Sequence, residues 1–144
     1  MRQLTNPMAA PALAGLPPNV PDGFTDVDFT YPYDVSLAGG QALTNEQRSI
    51  DTDSEFWWRD TILLKATGAF TYKFSDSSGY VMSSGQIHSA NLSANPSSPA
   101  PVFPEHPLPP GGALNIEITD ISGNTNDIQI AFKGVKRYRR AKAA

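Results

Sequence analysis

The chain has no cysteine among its 144 residues. That excludes disulfide staples and thiolate zinc sites, and nothing marks a redox compartment. Charge is sparse, with 17% charged residues against 40% hydrophobic ones. Such a balance suits a protein made for contacts. No apolar run approaches the roughly 20 residues of a membrane span, so no membrane partner is expected. The segment "PMAAPALAGLPP" is too short and too proline-broken for a secretory core, and the chain reads as a mature protein made in a cytoplasm. Histidine is nearly absent: His88 follows a strand and His106 sits between prolines in "PEHP". There is no G-x-S-x-G elbow, P-loop or dinucleotide fingerprint. No catalytic residue, metal ligand or cofactor is assigned, and the expectation is a protein that is not an enzyme.

What is present is unevenly spread. Residues 1–132 hold five bases and all 14 acids, a net −9, whereas residues 133–144 hold the other six bases and no acid, +6. A basic end of this kind docks on an acidic surface or on phosphate. The acidic remainder of the chain makes nucleic acid the weaker choice. A length of 144 residues fits one domain with a real core.

Twelve of the 13 prolines gather in two clusters, five in 7–21 and seven in 96–110. Proline fixes φ and lacks an amide hydrogen, so neither cluster is a helix interior or a central strand. Residues 1–23 read as an extended arm whose Leu13 and Leu16 seek an apolar surface. Residues 95–112 read as a long extended loop, ordered by Val102, Phe103 and Leu108.

Elsewhere the hydrophobic period is 2. Phe70, Tyr72 and Phe74 share one face of a strand, as do Leu114, Ile116 and Ile118, and Ile128, Ile130 and Phe132. "SDSSGY" and "SGNTND" are turn clusters, and "YVMSSGQI" reads as the return strand of a hairpin. "DVDFTYPYDVSLA", "EFWWRDTILLKA" and "QALTNEQRSI" supply further strands. About seven or eight short strands give an all-β fold, a single β-sandwich or jelly roll. Its body spans 24–138, and a basic tail follows at 139–144.

The stretch "IDTDSEFWWRD" pairs Trp57 with Trp58. Adjacent strand residues point to opposite faces, so only one tryptophan enters the core. Phe56, Trp58 and Ile62 are expected inside, and Trp57 outside as a contact residue. Asp51, Asp53 and Glu55 alternate, but nothing splits their pKa values, and "DTDSE" lacks the glycine of a calcium loop. They read as solvated carboxylates leading into a strand. At the other end Lys136, Arg137, Arg139, Arg140 and Lys142 surround Tyr138, a set expected to meet a partner.

The order of these phrases resembles a known class. "FTYPYDVSLAGGQALTNEQRSIDTDSEFWW" leads into aromatic strands; "DSSGYVMSSGQI", "FPEHPLPPGGALNIEITD" and "SGNTNDIQIAFKGVKRY" follow. Over residues 24–138 this is similar to small accessory virion proteins of tailed bacteriophages, of the decoration or cement kind. The resemblance implies a β-sandwich or jelly-roll body, a dimer or trimer, and attachment to the major capsid protein on the capsid surface of the virion. It implies no active site. Two other readings stay open. One is a head–tail connector or tail component. The other is a carbohydrate-binding module with Trp57, Tyr31 and Tyr33 as a stacking platform.

Overall fold

The computed structural model describes residues 23–92 and 100–139. They form eight strands: β1 (Phe24–Leu37), β2 (Ala42–Ser49), β3 (Glu55–Ala66), β4 (Phe70–Asp76), β5 (Ile87–His88), β6 (Ala100–Leu108), β7 (Ala113–Asp120) and β8 (Asn126–Arg139). A 3-10 turn, Ser89–Asn91, follows β5. No helix of the described residues is long and apolar enough to cross a membrane.

The strands make two antiparallel sheets, ordered β1-β8-β3-β6 and β2-β7-β4-β5, that form a β-sandwich. The pairing is nested: β1 lies beside β8, β2 beside β7, β3 beside β6 and β4 beside β5. The period-2 faces found in the sequence are the two inner walls. Phe70, Tyr72, Phe74, Leu114, Ile116 and Ile118 come from one sheet; Phe56, Trp58, Ile128, Ile130 and Phe132 come from the other; all are buried in one core. Rings meet edge-on at its centre, with Trp58 5.6 Å from Phe132 and Phe74 5.2 Å from Phe132. This is the arrangement that aromatic quadrupoles favour.

Trp58 is 2% exposed and Trp57 half-buried, as alternation requires. The alternation breaks further along β3, where Thr61 and Ile62 are both buried. Register shifts between Trp58 and Asp60, and again between Leu63 and Lys65, account for it. At the first shift β3 and β8 approach so closely that a Cβ on Gly134 would overlap the Trp57 carbonyl oxygen.

The two side edges of the sandwich differ in chemistry. At the β1/β2 edge polar groups fill the gap: Tyr33 donates to Glu46 at 2.9 Å, and the Arg48 guanidinium lies 5.1 Å above the Tyr31 ring. Burial and the Glu46 carboxylate push the Tyr33 hydroxyl well above its ordinary pKa. At the β5/β6 edge the lining is apolar and aromatic.

Two expectations need correction. Residues 100–108 of the proline-rich "loop" are a strand, β6, at the edge of the first sheet. An edge strand tolerates prolines because half of its amides face away from the ladder. Leu108 is fully buried and Val102 packs on the core, so the anchoring role expected for these two holds. The hairpin return after "SDSSGY" is also much reduced, to a bridge at Val81 and the two residues of β5. The turn itself forms, and Gly79 adopts φ 95° within it.

Candidate functional site

β1 begins opposite the end of β8, with Phe24 aligned to Arg139. Segments 1–22 and 140–144 therefore join the body at one end of one sheet. The outer face of that end carries Trp57, Arg137 and Arg139 together. Arg137 grips Asp26 through two hydrogen bonds, 2.8 and 3.0 Å, and lies 4.5 Å over the Trp57 ring. Trp57 donates through Nε1 to Glu55 at 3.1 Å, and Arg139 sits 5.6 Å over Phe24. The Asp26 carboxylate raises the Arg137 pKa further, against a smaller effect of burial. A planar guanidinium held by a fork and stacked on an indole is pre-organised. Trp57 is thus presented on a rigid support.

The opposite face of the same end holds Lys136 and Tyr138. Lys136 is 4% exposed, its ammonium 4.1 Å from the Phe29 ring. It donates to Asp51 at 2.8 Å and Asp53 at 3.3 Å, and the Tyr138 hydroxyl donates to Asp53 at 3.1 Å. The Asp51 amide donates to the Tyr31 hydroxyl at 3.1 Å. Burial opposes the charge on Lys136, but the two carboxylates outweigh it and raise its pKa well above the ordinary value. The Lys136 bond lowers Asp51; at Asp53 burial works the other way and is overcome by Lys136 and Tyr138.

These contacts correct the reading of the basic end. Lys136, Arg137 and Tyr138 are part of strand β8, which runs to Arg139. Lys136 and Arg137 are buried and bonded within the chain, so their charges are spent on the body's own carboxylates and do not await a partner. Asp51 and Asp53 are correspondingly the acceptors of a structural clamp. Arg139 is exposed. Leu13, Leu16, Arg140 and Lys142 lie outside the described residues, as does the Phe103 side chain. The stacking platform is dismantled: Tyr31 and Tyr33 are 2% and 6% exposed and face the core, away from Trp57.

At the apolar β5/β6 edge lies a pocket of about 380 Å³ floored by Trp58, Tyr72 and Phe74. Its rim holds His106, whose Nε2 is 2.6 Å from Asp76, and Tyr80, whose ring lies 5.0 Å from the imidazole. Asp76 also accepts from the Ser78 amide and hydroxyl and from the Tyr80 amide. Burial disfavours its charge, yet these donors hold the carboxyl below the ordinary range. Ser78 donates to the carboxylate and not to the imidazole, so the trio ties the β4 turn to β6. His88 has a comparable local duty, accepting from the Ala90 amide.

Sequence reasoning missed the partners of the basic end. Asp26 lies 111 residues from Arg137, and Asp51 lies 85 from Lys136. The one available signal was the excess of acid in the body. No protein-family model, curated protein or solved structure matches this chain.

Proposed function

We propose that this chain is a structural virion protein that binds and stabilises a bacteriophage capsid shell, in the manner of a decoration or cement protein. The observation that carries the reading is the meeting of Phe24 and Arg139 in register at the end of the sheet where Arg137 stacks on Trp57. It brings an apolar arm, a short basic tail and a rigidly supported tryptophan to one end of one sheet. A single footprint there combines apolar burial, charge and an aromatic anchor.

The nested pairing supports the finer fold assignment. A chain whose first strand pairs with its eighth, second with seventh, third with sixth and fourth with fifth is one long hairpin rolled upon itself. That is a jelly roll, an architecture used by viral capsid and lectin domains. The fold alone does not choose between such roles. The resemblance of residues 24–138 to phage accessory proteins favours the capsid.

In this reading the major capsid protein is the partner, and the protein acts as a dimer or trimer. Many symmetry-related copies add avidity to modest single contacts, and preference for the assembled shell stabilises it by mass action. The test is particle occupancy by chains lacking 1–22, 140–144 or both, each first shown to keep its β-type circular dichroism. Loss of the tail should weaken attachment most at low salt, because exposed charge pairs are screened over about 8 Å at physiological ionic strength. Loss of the arm should weaken it at every salt level, since Leu13 and Leu16 act by apolar burial. Full occupancy without both segments at all salt levels would remove the proposal.

A further inference from the structure

Four strands form the edges of the two sheets: β1 and β6 of the first, β2 and β5 of the second. An edge strand leaves a row of backbone donors and acceptors able to template another strand, and proteins usually blunt it. β6 is blunted by Pro101, Pro104 and Pro107 within nine residues. β5 is two residues long. β2 is interrupted by a register shift between Leu43 and Glu46. β1 runs for 14 residues with one proline, Pro32. Its first part, Phe24–Tyr31, has no such interruption and pairs continuously with β8.

Pro32 also fixes which amides of β1 face outward. A proline within a ladder must stand where the amide would have pointed away from the neighbour. Residues of the same parity therefore direct their N–H and C=O groups away from β8: Phe24, Asp26, Asp28 and Thr30. No described residue other than those of β8 bonds to the backbone of this stretch.

The side chains around this edge specify what would fit. β1 contains Asp26, Asp28 and Asp34 and no base. Asp26 is already held by Arg137, whereas Asp28 is exposed. On the other face Val27 is 47% exposed and Phe29 is only partly buried. A strand laid here would meet the Asp28 carboxylate on one face and apolar surface on the other. Cross-strand pairs contribute most when charges are opposite and apolar groups oppose apolar groups.

We infer that the Phe24–Thr30 edge of β1 is a strand-addition site for an extended partner segment that alternates basic and apolar residues. Main-chain bonds give the affinity and the alternate side chains give the selectivity. The chain's own arm is a poor occupant: it has no base between Arg2 and Asp22, and Pro17, Pro18 and Pro21 remove donors next to β1. The site does not depend on the capsid reading, because the template is backbone and charge.

The test uses the full chain and a synthetic peptide of roughly eight residues alternating lysine and valine, a length matched to the open edge. Amide exchange is followed residue by residue by NMR. In the free protein Asp26, Asp28 and Thr30 should exchange quickly while Val27 and Phe29, bonded to β8, are protected. With peptide the first three should slow by at least about tenfold. Asp28→Lys should weaken binding by roughly fivefold to tenfold by placing like charges across strands. Thr30→Pro should abolish binding while leaving the Val27 and Phe29 amides protected, because it deletes only an outward donor. Three results would each overturn the inference: outward amides already protected in the free chain, as the arm or a second copy on this edge would make them; equal binding of a peptide with its lysines and valines in separate blocks; or protection appearing on β2 instead.

Discussion

Two adjacent tryptophans point to opposite faces of β3, Trp58 buried and Trp57 half-buried. Trp58 fills the core between Phe74 and Phe132, so Trp58→Ala should cost about 3–5 kcal/mol of folding stability, the usual loss for a large buried aromatic. Trp57→Ala should leave the urea midpoint nearly unchanged and weaken association or particle binding. Parallel unfolding and sedimentation measurements on the two variants separate these effects. Gly134 has no such latitude, since any side chain there meets the Trp57 carbonyl. Gly134→Ala should destabilise by about 3 kcal/mol, at the upper end of ordinary overpacking. The Lys136 clamp is asymmetric as well. Lys136 is buried, but the side chains of Asp51 and Asp53 are 55% and 51% exposed. Lys136→Met leaves two carboxylates that water can solvate, whereas Asp51→Asn with Asp53→Asn leaves a buried ammonium without its counter-charges. The double substitution should therefore lower the urea midpoint more than Lys136→Met does.

Turns at the ends of β4 and β7 are built alike. At β7 Asp120 accepts from the Ser122 hydroxyl at 2.6 Å, the Gly40 amide at 2.8 Å, the Gly123 amide at 3.0 Å and the Asn126 side chain at 3.1 Å. The Ser122 and Gly40 donors dominate and hold this carboxyl far below its ordinary pKa, against the effect of burial. Asp120→Asn should speed exchange of the Gly40 and Gly123 amides together, because one carboxylate serves both loops, and should lower the thermal midpoint. Strand identity was legible in the sequence wherever apolar residues alternate, as in β4, β7 and the first half of β8. It was illegible where another rule governs. β6 follows edge chemistry, so its prolines pointed to a loop. The return to β5 makes little ladder: Val81 forms one bridge, and Asp76 holds the turn before it by accepting from Ser78 and Tyr80. The outward tryptophan was legible from alternation. The occupation of Lys136 and Arg137 was not, because their acidic partners come from β1 and the turn before β3.

At the scale of the molecule, the displaced ionisations set the pH range of stability. Asp51, Asp53, Asp76 and Asp120 lie below their ordinary value of 3.8 in the folded chain. Their contribution is complete above that value and is lost as pH falls through the lower folded values. Lys136 lies above its ordinary 10.5; its contribution is complete below that value and is lost as pH rises through the higher folded one. A thermal midpoint that is flat from about pH 5 to 9 and falls on both sides is expected, and calorimetry across pH checks it. The Lys136 and Arg137 bonds tie the strands together near the Phe24–Arg139 end, and a pre-organised surface docks at lower cost. The most direct test of the proposed capsid role is a density map of bacteriophage particles assembled in the presence of this protein. The expected result is the protein on the shell with Phe24, Trp57 and Arg139 turned toward the major capsid protein. Particles that lack the protein, or that carry it with this end facing solvent, would contradict the account.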